Sequence, residues 1–124
     1  MKLIIAGSRT ITMSNDFIHS IVEHICYKFS ELEIISGTAK GIDTVAIEYA
    51  EEFGWALKKF PADWDKFGKA AGHIRNKQMA EEGDALLLIW TGDKETSPGS
   101  YSMKQAMLFK KKPVYEVILK KHNV

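Results

Sequence analysis

Two short glycine turns, Gly7-Ser8-Arg9-Thr10 and Gly37-Thr38-Ala39-Lys40-Gly41, each follow an apolar run and precede a helical pattern. A turn in that position exposes backbone N–H groups, and the start of the following helix adds positive electrostatic character, so each can hold phosphate or carboxylate. Ser8 and Thr38 add hydroxyls, Arg9 and Lys40 add cations, and Asp43, in the first turn of the second helix, can accept hydrogen bonds from sugar hydroxyls. Further along, Ser97, Gly99 and Ser100 make a third anion-holding turn with the start of another helix behind it. Arg75 suits paired contacts to phosphate or carboxylate, Asn76 both donates and accepts, and Trp64 offers a flat indole face to a nucleobase. A ligand with phosphate and ribose would use these groups together.

Each group also has a purely structural explanation. The glycines can serve backbone geometry alone, Trp64 can pack on the surface, and Arg75 can pair with Glu81 or Glu82 on its own helix. His73, in the same turn, is a further candidate contact, but it lacks the paired carboxylate or serine that acid-base chemistry requires. Neither glycine turn has the Gly-Lys-Ser/Thr ending of a Walker loop or the close Gly-x-Gly-x-x-Gly spacing of the dinucleotide fingerprint. His19, His24, His73, His122 and Cys26 show no metal-ligand spacing, so no structural or catalytic metal is expected, with magnesium on a phosphorylated ligand left open. Cys26 falls on a helical pattern as a small buried group. No residue is assigned a catalytic role.

The chain has 124 residues, which suits one domain spanning 1–124 with a core covered on two sides. Seventeen basic and sixteen acidic residues give a formal charge of +1, so no whole-protein field favours nucleic acid or an anionic membrane. The basic run Lys110-Lys111-Lys112, echoed by Lys120 and Lys121, reads as a solvated helix end. The longest apolar run, Ala85 to Trp90, falls far short of the roughly 20 residues that cross a bilayer. Met1-Lys2 leads into a stretch too short for a signal core, so cytoplasmic residence is expected.

These groups need elements to hold them. Residues 2–6 predict a first strand, nearly apolar throughout, as in a parallel sheet covered on both faces. A helix capped near Ser14, with Asp16 in its first turn, carries the stripe Ile18, Ile21, Val22, Ile25 and Phe29. A second strand at 32–36 follows, then a helix from Gly41 bearing Ile42, Val45, Ala46, Tyr49, Ala50 and Phe53 before Gly54. Trp55 to Phe60 predicts a third strand near an edge, because Lys58 and Lys59 interrupt its apolar run. Residues 61–70 read as a polar connection, with Phe67 anchoring it, before a helix at about 71–82. Ala85 to Trp90 is the most apolar strand and is expected at the sheet centre beside the first, with Trp90 closing the core or walling the crevice. A loop over 91–100, a shorter helix marked by Met103, Ala106 and Met107, a strand of Val114, Tyr115, Val117 and Ile118, and a fraying end at 120–124 complete the chain. The fold class is therefore α/β, a three-layer α/β/α arrangement around a mainly parallel sheet of about five strands. A two-fold homodimer through helix faces, to which Met103 and Met107 can contribute as well as to the core, is the simplest assembly.

The ordered set Gly7-Ser8-Arg9, Ser36 through Asp43, Pro61 through Asn76 and Ser97-Pro98-Gly99-Ser100 resembles the SLOG superfamily of Rossmann-like domains, in particular its small YspA/YpsA-like bacterial and phage members. That resemblance implies a pocket at the strand ends for a nucleotide or a nucleotide-derived, ADP-ribose-like ligand. It implicates Gly7, Ser8, Arg9, Gly37, Thr38, Gly41, Asp43, Trp64, Arg75, Asn76, Gly99 and Ser100, with Lys40 and Ser97 beside them. The LOG-type phosphoribohydrolases among the relatives place a catalytic glutamate where this chain has Met103. A thioether can supply neither proton nor negative charge, which favours binding, for sensing or sequestration, over hydrolysis. N-glycoside hydrolysis through Asp43 or Glu48, and a structural or partner-binding role with a vestigial pocket, stay open as alternatives.

Overall fold

The computed structural model describes residues 1–26 and 32–119. Phe29, Lys120, Lys121, His122 and the expected fraying at 120–124 lie outside the described residues, as does the side chain of Cys26. The strands are β1 (Lys2–Gly7), β2 (Glu33–Ser36), β3 (Ala56–Lys59), β4 (Ala85–Trp90) and β5 (Val114–Ile118). They form one sheet in the order β3-β2-β1-β4-β5. Every pairing is parallel, with Leu3 opposite Ile34, Ile4 opposite Leu86, Ile35 opposite Lys58 and Leu88 opposite Glu116. Helices α1 (Asn15–Cys26), α2 (Ile42–Phe53), α4 (Ala71–Glu82) and α5 (Pro98–Phe109) are each 12 residues long, and a short α3 (Trp64–Phe67) precedes a 3-10 turn at Gly68–Ala70.

Because successive strand residues point to opposite faces, β1 and β4 divide their side chains between two cores. Leu3, Ile5, Leu87 and Ile89 pack with Ile18 and Val22 of α1 and with Val45 and Tyr49 of α2. Ile4, Ala6, Leu86 and Leu88 pack on the other side with Met79 and Ala80 of α4 and with Met103 and Met107 of α5. Each fully buried Leu or Ile contributes roughly 1.5–3 kcal/mol, so this three-layer packing is the main support of the fold. It also explains the unbroken apolar sequence of β4, whose six residues are all buried.

Several expectations change. β1, not β4, is the middle strand: β4 does lie beside it, but β5 pairs along its other edge, and an apolar run cannot tell a central strand from one covered by a single further neighbour. The connection at 61–70 contains a helical turn because the Asp63 carboxylate accepts a hydrogen bond from the Lys66 amide at 3.0 Å. Phe67 does not anchor it, being 37% exposed with the Lys66 ammonium over its ring. The loop after β4 ends at Ser97, since Pro98 begins α5 at a position where a missing N–H costs nothing. Lys112 is not a solvated cation: its Nζ donates to the carbonyls of Ala80, Glu81 and Gly83 at 2.7, 3.0 and 2.8 Å, closing the C-terminal end of α4. Met103 and Met107 are core residues, 1% and 0% exposed, so the outward apolar groups of α5 are instead Tyr101, Leu108 and Phe109. No helix of the described residues is long and apolar enough to cross a membrane.

Strands β1 and β4 approach closely where they end. The Ser8 amide donates to the Ile89 carbonyl at 3.0 Å, and a Cβ on Gly7 would lie 1.8 Å from that same oxygen. Gly7→Ala should therefore destabilise the protein by about 3 kcal/mol, because a backbone atom cannot yield as a side chain can. Urea denaturation would measure this, and a loss below about 0.5 kcal/mol, the range of a neutral surface change, would contradict the close approach.

Candidate functional site

The chain leaves β1 toward β2 on one side, and later places β4 on the other side of β1. Loops leaving neighbouring strands in opposite directions open a crevice between them, the usual ligand position in a doubly wound sheet. The turns after β1, β2 and β4 meet at this point. An inner lobe of about 330 Å³ lies among Gly7, Arg9, Thr10, Asp43, Arg75 and Asn76 on one side and Thr96 to Ser100 on the other. An outer lobe of about 300 Å³ lies among Gly37, Thr38, Lys40, Pro61, Ala62 and Trp64. Arg9, Ala39 and Arg75 line both, so the lobes adjoin at two cationic side chains.

Neutral donors line one wall of the inner lobe. Ser8 Oγ donates to Ser97 Oγ at 3.3 Å, and the hydroxyls of Ser97 and Ser100 are 2.6 Å apart. Ser97 is the N-cap of α5, yet its hydroxyl caps no backbone amide. The first-turn amides of Gly99 and Ser100 have no intrahelical acceptor, and both residues line the lobe. They carry the partial positive charge of a helix start without an acidic side chain in that turn to neutralise it.

Asp43 faces this wall from α2 and is 5% exposed. The Ala39 amide donates to its Oδ2 at 3.2 Å. Burial raises the carboxyl above its ordinary pKa, opposed by the Ala39 hydrogen bond, the Arg75 charge, a Gly7 backbone hydrogen bond and the Arg9 charge. The β2 turn that carries these groups is fixed by Ser36 Oγ, which donates to the Asp43 carbonyl at 2.7 Å and accepts from the Thr38 amide at 3.2 Å. Arg75 Nη1 donates to the Gly37 carbonyl at 2.6 Å and Nε to Asn76 Oδ1 at 3.0 Å. Burial lowers the Arg75 pKa and Asp43 raises it, but a guanidinium starts so high that it stays cationic at neutral pH.

The structure thus gathers Gly7, Arg9, Asp43, Arg75, Asn76, Ser97, Gly99 and Ser100 around the inner lobe, and Gly37, Thr38, Lys40 and Trp64 around the outer one. Ser8 and Gly41 support the crevice without lining either lobe. Gly41 has φ 76°, and a Cβ there would lie 2.3 Å from the Ser8 carbonyl oxygen, so it lets the first two turns pack together. His73 instead meets Ser102 and faces a groove between α4 and α5, Glu48 borders a separate depression beyond Arg9, and Trp90 is buried in the core with its Nε1 on Glu116. Arg75 does not pair with Glu81 or Glu82; Glu82 takes Lys58 and Lys2. Sequence reasoning missed Ala39, Thr96 and Met79 as lining residues. Met79 was findable, standing one helical turn beyond Arg75 and Asn76. Met103, 1% exposed, is among the residues lining the inner lobe. Among the described residues no group of three or more His, Cys, Asp or Glu side chains is arranged to hold a metal ion.

A family model described as YspA, cpYpsA-related SLOG (YAcAr) matches residues 1–67, just over half of the 124. That segment carries the first two turns, Asp43 and Trp64, and stops short of Arg75, Asn76 and the Ser97–Ser100 turn. The chain is also 36% identical over 75 residues to "Uncharacterized protein ORF4" of Lactococcus phage mv4, covering 60% of this chain and 51% of that protein. It thus spans about half the length of this curated relative.

Asp43 gives the site a pH signature. A carboxyl whose folded pKa is raised contributes stability that is complete below its ordinary value of roughly 4 and is lost as pH rises through the raised value. Asp43→Asn removes this titration, so its melting temperature should gain on that of the unsubstituted protein over the pH window that opens above about pH 4. A difference between the two that stays flat across this window would contradict the raised pKa.

Proposed function

The chain belongs to the YspA, cpYpsA-related SLOG family, and on that premise we propose that its crevice binds a nucleotide or an ADP-ribose-like nucleotide derivative, for sensing or sequestration. The family is associated with nucleotide-related ligands in general. One observation carries the finer reading: anion donors line one lobe, an exposed indole lines the other, and Arg9 and Arg75 stand where the lobes adjoin. Phosphate oxygens take the amides of Gly99 and Ser100, the serine hydroxyls and the Arg75 guanidinium. Asp43 accepts from a ribose hydroxyl, and Asn76 supplies a further polar edge. Trp64, 53% exposed, stacks on the base, with Lys40 and Arg9 beside any additional phosphate. Each lobe alone is at the small end of ligand pockets, whereas the pair suits an extended molecule.

Binding is favoured over N-glycoside hydrolysis because Met103 lines the lobe where the resembling hydrolases carry their glutamate. Asp43 is the one carboxylate among the residues that line it, and its raised pKa is the feature that would support acid chemistry.

Calorimetric titration with AMP, ADP-ribose and ribose 5-phosphate tests this reading. All three should lose about ten- to a hundredfold in affinity in Arg75→Ala, the range of a charge-assisted hydrogen bond. Trp64→Ala should weaken AMP and ADP-ribose but leave ribose 5-phosphate unchanged. No binding at millimolar concentration would contradict the proposal, and sustained release of adenine from AMP would move the assignment to hydrolysis.

A further inference from the structure

A guanidinium held at a fixed angle meets an anion at a lower ordering cost, and the structure holds that of Arg75 from two directions. Nη1 reaches across to the Gly37 carbonyl on the β2 turn, and Nε is held by Asn76 Oδ1 on its own helix. With Nε and one Nη1 hydrogen engaged, three of the five guanidinium hydrogens remain for a ligand, two of them on Nη2. Asn76 can hold Nε only while its amide oxygen, and not its NH2 group, faces Arg75.

What sets that orientation lies on α5. Asn76 Nδ2 is 3.4 Å from the Gly99 carbonyl and 3.3 Å from Ser102 Oγ. A carbonyl oxygen only accepts, so Gly99 draws the NH2 group toward α5. A serine hydroxyl both donates and accepts, and would not by itself distinguish the two ends of an amide. Here His73 Nδ1 stands 2.8 Å from the same Oγ. When the serine hydrogen points to that nitrogen, the lone pairs of Oγ remain for Asn76 Nδ2. His73 and Asn76 are three residues apart, so both reach Ser102 from neighbouring positions on α4. Asn76 is 4% exposed, which makes a flipped amide costly because it would set two donors against Arg75.

We propose that Ser102, backed by His73, is a positioning residue of the crevice, fixing through the Asn76 amide the angle at which Arg75 meets a bound anion. It goes beyond the nucleotide reading in naming residues outside both lobes, and it rests on that reading only for its effect on affinity. The first test needs no ligand. Solvent exchange of the Arg75 Nε–H, identified in nitrogen-15 NMR spectra by its loss in Arg75→Lys, should speed up about threefold or more in Ser102→Ala and return toward its original rate in Ser102→Thr, which keeps the hydroxyl. Unchanged exchange in Ser102→Ala would overturn the proposal.

The second test is a double-mutant cycle with AMP as the probe. Ser102→Ala should weaken AMP by about three- to tenfold in the otherwise unchanged protein, and by almost nothing in the Arg75→Lys background, where Nε is absent. Equal losses in both backgrounds would mean a general structural effect and would overturn the role assigned to Ser102. Absence of AMP binding by the unsubstituted protein would remove the ligand reading, and the Arg75 exchange rate would still decide whether Ser102 orients the guanidinium.

Discussion

Parallel pairing of β1 with β2 on one edge and with β4 on the other is the constraint from which the crevice follows. Three strands side by side in one direction deliver their carboxyl-end loops to one rim, and the reversal of strand order separates the loops just enough to leave a gap. Apolar packing on both faces enforces that pairing. A one-residue slip of β1 against β4 would exchange the set Leu3 and Ile5 for Ile4 and Ala6 and place each against the wrong helices. The polar crevice is thus located by hydrocarbon that never touches it.

Within the crevice, charge is balanced without being quenched. Asp43 and Arg75 influence one another electrostatically, and a Cβ on Gly37 would touch both, yet each directs its hydrogen bonds to backbone groups of the loops and, for Arg75, to Asn76. Burial disfavours the charged form of each. Such an arrangement keeps an acceptor and a cation available near one another on the same side of one small space, held by the loops and not by each other. It also explains the absence of side chains at Gly7 and Gly37, where a Cβ would meet the β4 backbone in one case and the Asp43 and Arg75 side chains in the other.

Much of this was legible in the residues. Apolar runs of strand length alternating with helical stripes gave the α/β layers, and the glycine turns marked the strand ends that face the crevice. The place of β4 beside β1 was legible too, but not that β1 holds the exact middle, because being buried on both faces is common to every inner strand and the pairing of Trp90 with Ile118 is a long-range fact. Nor could sequence say which way α4 turns. Arg75 and His73 are two residues apart and must face different ways on a helix, but only the docking of α4 on β4 and α5 decides which of them meets the ligand space. The role of Lys112 is hidden in the sequence for a related reason: only the fold brings the C-terminal carbonyls of α4 beside its ammonium group. The short helix at Trp64–Phe67 depends on a single capping contact from Asp63, too local and too weak a signal to outweigh the polar composition around it.

The most direct test of the crevice as a ligand site is an amide NMR titration with ADP-ribose. Shifts are expected to concentrate at Gly7 to Thr10, Gly37 to Gly41 and Gly99 to Ser100, with the Trp64 indole N–H moving in the same titration. Shifts gathered instead on the opposite side of α5, around Tyr101 and Phe109, or none at saturating ligand, would contradict it.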